Sequence, residues 1–294
     1  PLQSCRLNVL RGVYLIFEVP WHCMAAGTIP ILEMQIAFAI ALIGVVIGWR
    51  GVLTRMTGFY DLSGAVRYLL YGIVAGVFLA LAVDELILKS ILTESDTSAI
   101  SVPLGSLIPL SLLIGALESS FVLFLLGRPG VSSIRASPPF GWALGLGLGS
   151  MQAAYLIVRL FDPNLTVSQY SGFDVTSVAL ALVISVLSNL GHSLPSTWQG
   201  YGIISGSRAV PMLSSTIARA ALSISLVLGL INPIFLFGIA PFVVFAWFRA
   251  QEEWLPSGLT PAARQAYRRT IRQAAMHKQR AEERIRGDFV DSDE

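Results

Sequence analysis

The chain has 294 residues, 54% of them hydrophobic and only 13% charged, with a formal net charge of +2. A soluble domain carries about a quarter charged residues, so this composition excludes a water-exposed globule, and the apolar fraction excludes a disordered chain. The charge is also unevenly placed: residues 249–294 hold nine of the twenty Lys and Arg and eight of the eighteen Asp and Glu.

From the N-terminus, residues 1–33 read as an amphiphilic lead or an extra span. Arg6 and Arg11 precede the apolar stretch 12–17 as in a signal sequence, but Glu18, Pro20 and His22 interrupt it, which argues against cleavage. Cys5 and Cys23 form no disulfide framework or CxxC motif, and His22, His192 and His277 are scattered. Neither a metal site nor any other cofactor is expected.

Residues 34–248 are expected to form the transmembrane domain. Apolar runs lie at 34–49, 68–83, 104–126, 141–160, 175–194, 212–230 and 234–248. A helix needs about 20 apolar residues to cross the hydrocarbon layer, so the first two and the last must borrow flanking residues. Backbone groups in lipid find no water, and no alternating β-barrel pattern is present, so the spans are helical. The expected fold class is an all-α polytopic bundle of about seven helices, eight if the lead also crosses.

Loop charges set the orientation. Arg50, Arg55 and Arg67 follow the first span, Arg128 and Arg135 the third, and Arg208 the fifth. Between them, Asp84, Glu85, Glu94 and Asp96 face Lys89 alone after the second span, and Asp162 and Asp174 follow the fourth. The positive-inside rule then places the arginine loops and the C-terminus in the cytoplasm of a cell-membrane protein. This requires residues 212–248 to cross twice, turning at Asn232-Pro233.

The tail, 249–294, carries a helix start at Leu259-Thr260-Pro261, with Thr260 as N-cap and proline in the first turn. Its arginines suit a solvated helix lying on anionic headgroups, each worth about 1 kcal/mol near the surface. Glu282, Glu283 and Asp288 interleave with them and no aromatic stacking set is present, so no nucleic-acid partner is expected. The expected partners are the bilayer and a membrane-protein substrate or subunit.

Ionisable groups inside spans are costly and mark function by default. Glu118 lies eight residues from the end of the third run, about 12 Å deep, too deep for its short side chain to reach water. His192 lies near the end of the fifth, with Ser196 at i+4 and Gly200 at i+8 on one helical face, and Pro195 is expected to kink that face or start a new helix. In the fourth, Gly141, Gly145 and Gly149 repeat at i+4, a stripe for close helix packing, and Gln152 and Tyr155 continue that helix as candidate lining of a polar site. Arg159 and Arg219 are expected to snorkel from opposite ends of their spans, and Glu85 and Lys89 stand at pairing distance.

Over residues 104–205 these motifs resemble the PrsW branch of the glutamic-type intramembrane proteases, relatives of the CAAX-processing prenyl proteases. Leu117-Glu118 falls where that family has a pair of glutamates, and the run from Gly145 to Tyr155 is similar to its glycine-rich helix. His192, Ser196, Gly200, Tyr201 and Gly202 match its H-x-x-x-T-x-x-x-G-Y-G motif most specifically. The resemblance implies hydrolysis of peptide bonds in membrane-tethered substrates, with Glu118 activating water and His192 supporting the oxyanion or the second proton transfer. Leu117 replaces the first glutamate, Met151 and Gln152 stand where the family has Glu and Asn, and no later span carries a histidine. These replacements fit the alternative, a non-catalytic scaffold or binding protein of the same fold, a role one superfamily member plays within the presenilin protease complex.

Overall fold

The computed structural model describes residues 29–89, 91, 104–165 and 167–286. The lead up to residue 28, Glu94, Asp96, Asp288 and the last residues of the tail lie outside them. Seven helices long and apolar enough to cross a membrane follow one another: α1 (Ile31–Gly48), α2 (Leu62–Val83), α3 (Leu104–Leu126), α4 (Ser137–Phe161), α5 (Val175–Ser205), α6 (Ala209–Ile231) and α7 (Ile234–Arg249). An eighth, α8 (Pro261–Arg286), forms the tail. The chain is an all-α integral membrane protein.

The short spans do borrow length. Tighter and wider turns carry α1 on to Met56, α2 to Leu88 and α7 to Gly258, so the first ten residues assigned to the tail continue the last span. Side chains set several helix starts. Asp61 accepts from the Ser63 and Gly64 backbone N–H groups at 3.0 and 3.1 Å, and Asp174 forms a capping box with Ser177. The Thr260 hydroxyl caps α8 by accepting from the Ala263 N–H at 3.3 Å. The chain turns between α6 and α7 at Asn232-Pro233, where the Asn232 side chain accepts from the Ile234 N–H at 3.1 Å.

Pro195 starts no new helix: α5 runs unbroken for 31 residues to Gly206, whose left-handed φ of +79° ends it. The Ser215 hydroxyl on α6 donates to the Pro195 carbonyl at 3.2 Å and so ties the two helices together at this point.

The bundle is organised around α4, of whose central stretch 78% is buried, against 28% for α1 and 17% for α7. Its glycines permit this. A methyl group at Gly141 or Gly149 would stand 2.5 Å from the Ser196 or Ser188 carbonyl oxygen of α5, and one at Gly145 would strike the Ser193 backbone. Gly200 lets α5 approach the Ser137 carbonyl of α4 in return. Polar side chains tie α1 to α5: Ser185 Oγ accepts from the Gly44 N–H at 3.1 Å and donates to the Ile40 carbonyl at 2.7 Å.

The ends of α1, α3, α5 and α7 meet on one face. There Arg55 donates to Gln251 at 3.4 Å, Arg135 to the Ser257 carbonyl at 3.2 Å, and Tyr201 to Glu253 at 3.2 Å. Phe59 packs edge-on against Tyr267 of α8. This common face is the one that alternating crossings of seven helices require.

Candidate functional site at the junction of α3, α4, α5 and α6

Four helices each deliver one polar side chain to a common buried point. Glu118 of α3 sits eight residues before that helix ends, and Arg219 of α6 sits ten residues after that helix begins, both counted from the common face. The two depths, about 12 and 15 Å, bring the charges level. His192 Nδ1 lies 2.8 Å from Glu118 Oε1, and Arg219 Nε lies 2.7 Å from the same oxygen. The arginine contact is one of charge, its N–H pointing off the hydrogen-bond axis. On its other side the imidazole Nε2 meets the Gln152 carboxamide of α4.

A second set of contacts holds the guanidinium. Arg219 Nη1 donates to Ser119 Oγ at 2.7 Å and Nη2 to Ser196 Oγ at 2.8 Å, with Gln199 Oε1 at 3.5 Å from Nη1. Ser196 donates its own proton to the His192 carbonyl at 2.7 Å, and Gln199 donates to the Ser119 carbonyl at 3.2 Å. His192, Gln152, Ser196, Gln199 and Arg219 are fully buried and Glu118 nearly so. One carboxylate and one guanidinium cancel, which lets the cluster exist in a medium that charges an isolated ion several kcal/mol.

The sequence-derived residues divide here. Glu118, His192, Gln152 and Ser196 come together, while Gly141, Gly145, Gly149 and Gly200 pack α4 against α5 beside them. Tyr155 does not join them. Its hydroxyl accepts from Arg159 Nη2 at 3.0 Å in a second cluster, where Arg159 also clasps Asp84 with Nε and Nη2 at 3.1 and 2.8 Å. Gln152 meets His192 of α5, whereas Tyr155, a turn further towards the end of α4, meets the Arg159–Asp84 pair at the end of α2. Arg219 does not snorkel: it is fully buried and meets a counter-charge instead. Arg159, two residues from the end of its helix and part-exposed, pairs with the buried Asp84. The expected Glu85–Lys89 pair forms at 2.5 Å.

Sequence reasoning missed Arg219, Ser119 and Gln199 as members of the site. The signal for Arg219 was its depth, which matches that of Glu118 from the same face. Among the described residues no three His, Cys, Asp or Glu side chains gather into a metal-ligand set.

As a general base, Glu118 would need a free oxygen within hydrogen-bond reach of a water and a route for that water. Its Oε1 is taken by His192 and Arg219, while Oε2 is buried without a hydrogen-bond partner and out of contact with water. Neither the cavity between α5, α6 and α7 nor the cavities beneath α8 are lined by Glu118 or His192. Set against known proteins, the chain matches no family model, no curated protein and no solved structure.

Proposed function

We propose that the protein is a non-catalytic member of the PrsW-like group, an integral membrane scaffold or binding subunit whose buried polar cluster locks α3, α4, α5 and α6 in register. One observation carries this reading: a single carboxylate oxygen of Glu118 receives both His192 and Arg219, at 2.8 and 2.7 Å, with all three side chains out of water. A carboxylate held in this way serves structure, because its charge is already balanced by Arg219 and one of its oxygens is shared by two partners. Leu117 and Met151 in place of family carboxylates point the same way. The protein resides in the cell membrane with its tail in the cytoplasm.

The test uses Glu118→Leu, Arg219→Leu and the double variant. Removing one partner strands a buried charge and costs about 3–5 kcal/mol, whereas removing both with apolar residues restores most of the loss. The double variant is expected to accumulate in membranes and to retain any co-purifying partner. A peptidase reading is favoured by one fact, the direct Glu118–His192 contact across 74 positions of sequence. It would prevail if folded Glu118→Gln and His192→Ala proteins both left the same uncut membrane protein accumulating in whole-membrane proteomes.

A further inference from the structure

A second site lies on the tail-side face, away from Glu118 and independent of its role. Between α5, α6 and α7 runs a groove of about 600 Å³ with an almost wholly apolar lining. It begins near mid-membrane at Gly191 and Leu222 and rises along Ala218 and Ala221 to a mouth at Tyr201 and Trp254. Trp198 and Trp254 stack at this end, centroids 5.5 Å apart, as aromatic residues do at headgroup level.

Tyr201 and Glu253 are also walls of a neighbouring polar cavity of about 430 Å³, which contains Arg135, Arg264 and Arg268. The same three arginines line a further cavity of about 340 Å³ under the start of α8, where no acidic residue joins them. The arginines are pre-positioned: Arg135 Nη2 and Arg264 Nη2 both donate to the Ser257 carbonyl, at 3.2 and 3.5 Å, and Arg264 Nε donates to the Pro256 carbonyl at 3.2 Å. Two guanidinium groups therefore converge on one neutral oxygen. None of the three arginines has an ion-pair partner among the described residues. Two acids line the polar cavity: Glu253 is held by Arg249 at 2.6 Å and by the Tyr201 hydroxyl, and Glu252 makes no ion pair with any of the three arginines.

We infer that the groove and the arginine cavities form one composite site for a membrane lipid with a phosphate headgroup, its chain in the α5–α6–α7 groove and its phosphate on Arg135, Arg264 and Arg268. The order of the parts carries the inference. An apolar slot at hydrocarbon depth opens, through a shared wall, onto unneutralised guanidinium groups at the interface, the arrangement an anionic lipid presents in reverse. Arginine forks suit phosphate oxygens, and a basic interface favours anionic over zwitterionic lipid.

The experiment measures lipid retention by the full-length purified protein in detergent, by native mass spectrometry. The probes are dioleoyl phosphatidylglycerol, dioleoyl phosphatidylcholine and inorganic phosphate. One phosphatidylglycerol per chain is expected, held about tenfold or more over phosphatidylcholine. Arg135→Gln/Arg264→Gln/Arg268→Gln should lose that preference. Ala221→Trp, which fills the groove from an exposed position, should lower retention of both lipids, with Ala218→Phe as the second groove variant if the first fails to fold. Equal retention of the two lipids by the parent would overturn the inference, as would full preference in the arginine variant. Unchanged phosphatidylglycerol binding in a folded groove variant would remove the chain from the site. Displacement of the lipid by equimolar inorganic phosphate would identify a free-anion site instead.

Discussion

At the residue scale, the buried cluster works by mutual neutralisation. Glu118 needs Arg219 for charge and His192 for a hydrogen bond, and Ser119 and Ser196 orient the guanidinium between them. Replacing His192 with Ala leaves Glu118 and Gln152 each short of a buried partner, at a cost of about 1–3 kcal/mol for each group left unsatisfied. The expected result is a lower unfolding midpoint by intrinsic fluorescence in detergent; a midpoint equal to the parent's would remove the imidazole from the lock. Asp84→Asn offers an internal comparison. It takes the counter-charge from Arg159, but that side chain is 23% exposed and can turn towards water. Its loss of stability should therefore be clearly smaller than that of Glu118→Leu, measured in the same way.

At the element scale, the α4–α5 contact depends on bare backbone. Gly149→Ala forces a methyl against the Ser188 carbonyl and should destabilise by about 1–3 kcal/mol, the usual cost of overpacking. Gly238→Ala in α7 meets nothing within 4 Å and should be neutral, or stabilising by up to about 1 kcal/mol through helix propensity. Equal midpoints for the two variants would contradict the packing account. The cap of α5 adds a pH dependence. The Ser177 backbone N–H and the Thr176 hydroxyl hold the Asp174 carboxyl below its ordinary 3.8. A carboxyl with a depressed folded-state pKa contributes stability above its unfolded value and loses it as pH falls through the folded value. The midpoint difference between the parent and Asp174→Ala should thus be present at pH 7 and vanish below that folded value. A difference that persisted at such acid pH would show that the ionised cap is not its source.

At the scale of the whole molecule, α4 is the most buried span and packs chiefly against α5, α2 and α1, while α1 and α7 are the least buried. The large apolar side chains of α7, such as Phe237, Phe242 and Phe245, are exposed, as a helix at the edge of a membrane bundle allows. The common face that joins the ends of α1, α3, α5 and α7 to α8 makes a topology prediction. With Cys5 and Cys23 replaced by serine, Ser133→Cys should react with a membrane-impermeant maleimide only from the cytoplasmic side, and Asn164→Cys only from the opposite side. Labelling of both from one side would refute the seven-crossing arrangement.

The seven apolar helices of the described residues and the polar helix that follows them were legible in the sequence alone. Hydrophobic length is a local property, and lipid leaves the backbone no alternative to internal hydrogen bonds. Glu118 and His192 stood out for the same reason, as ionisable groups in apolar runs. Only the tertiary structure decided what these groups contact. Depth along a helix can be counted from a sequence, but the direction a side chain takes around it depends on which helices stand beside it. That rotation set Arg219 against Glu118 from 101 positions away, turned Arg159 onto Asp84 and sent Tyr155 away from Gln152. A pair of residues that suits hydrolysis by type became, through a third side chain on another helix, a balanced and buried charge.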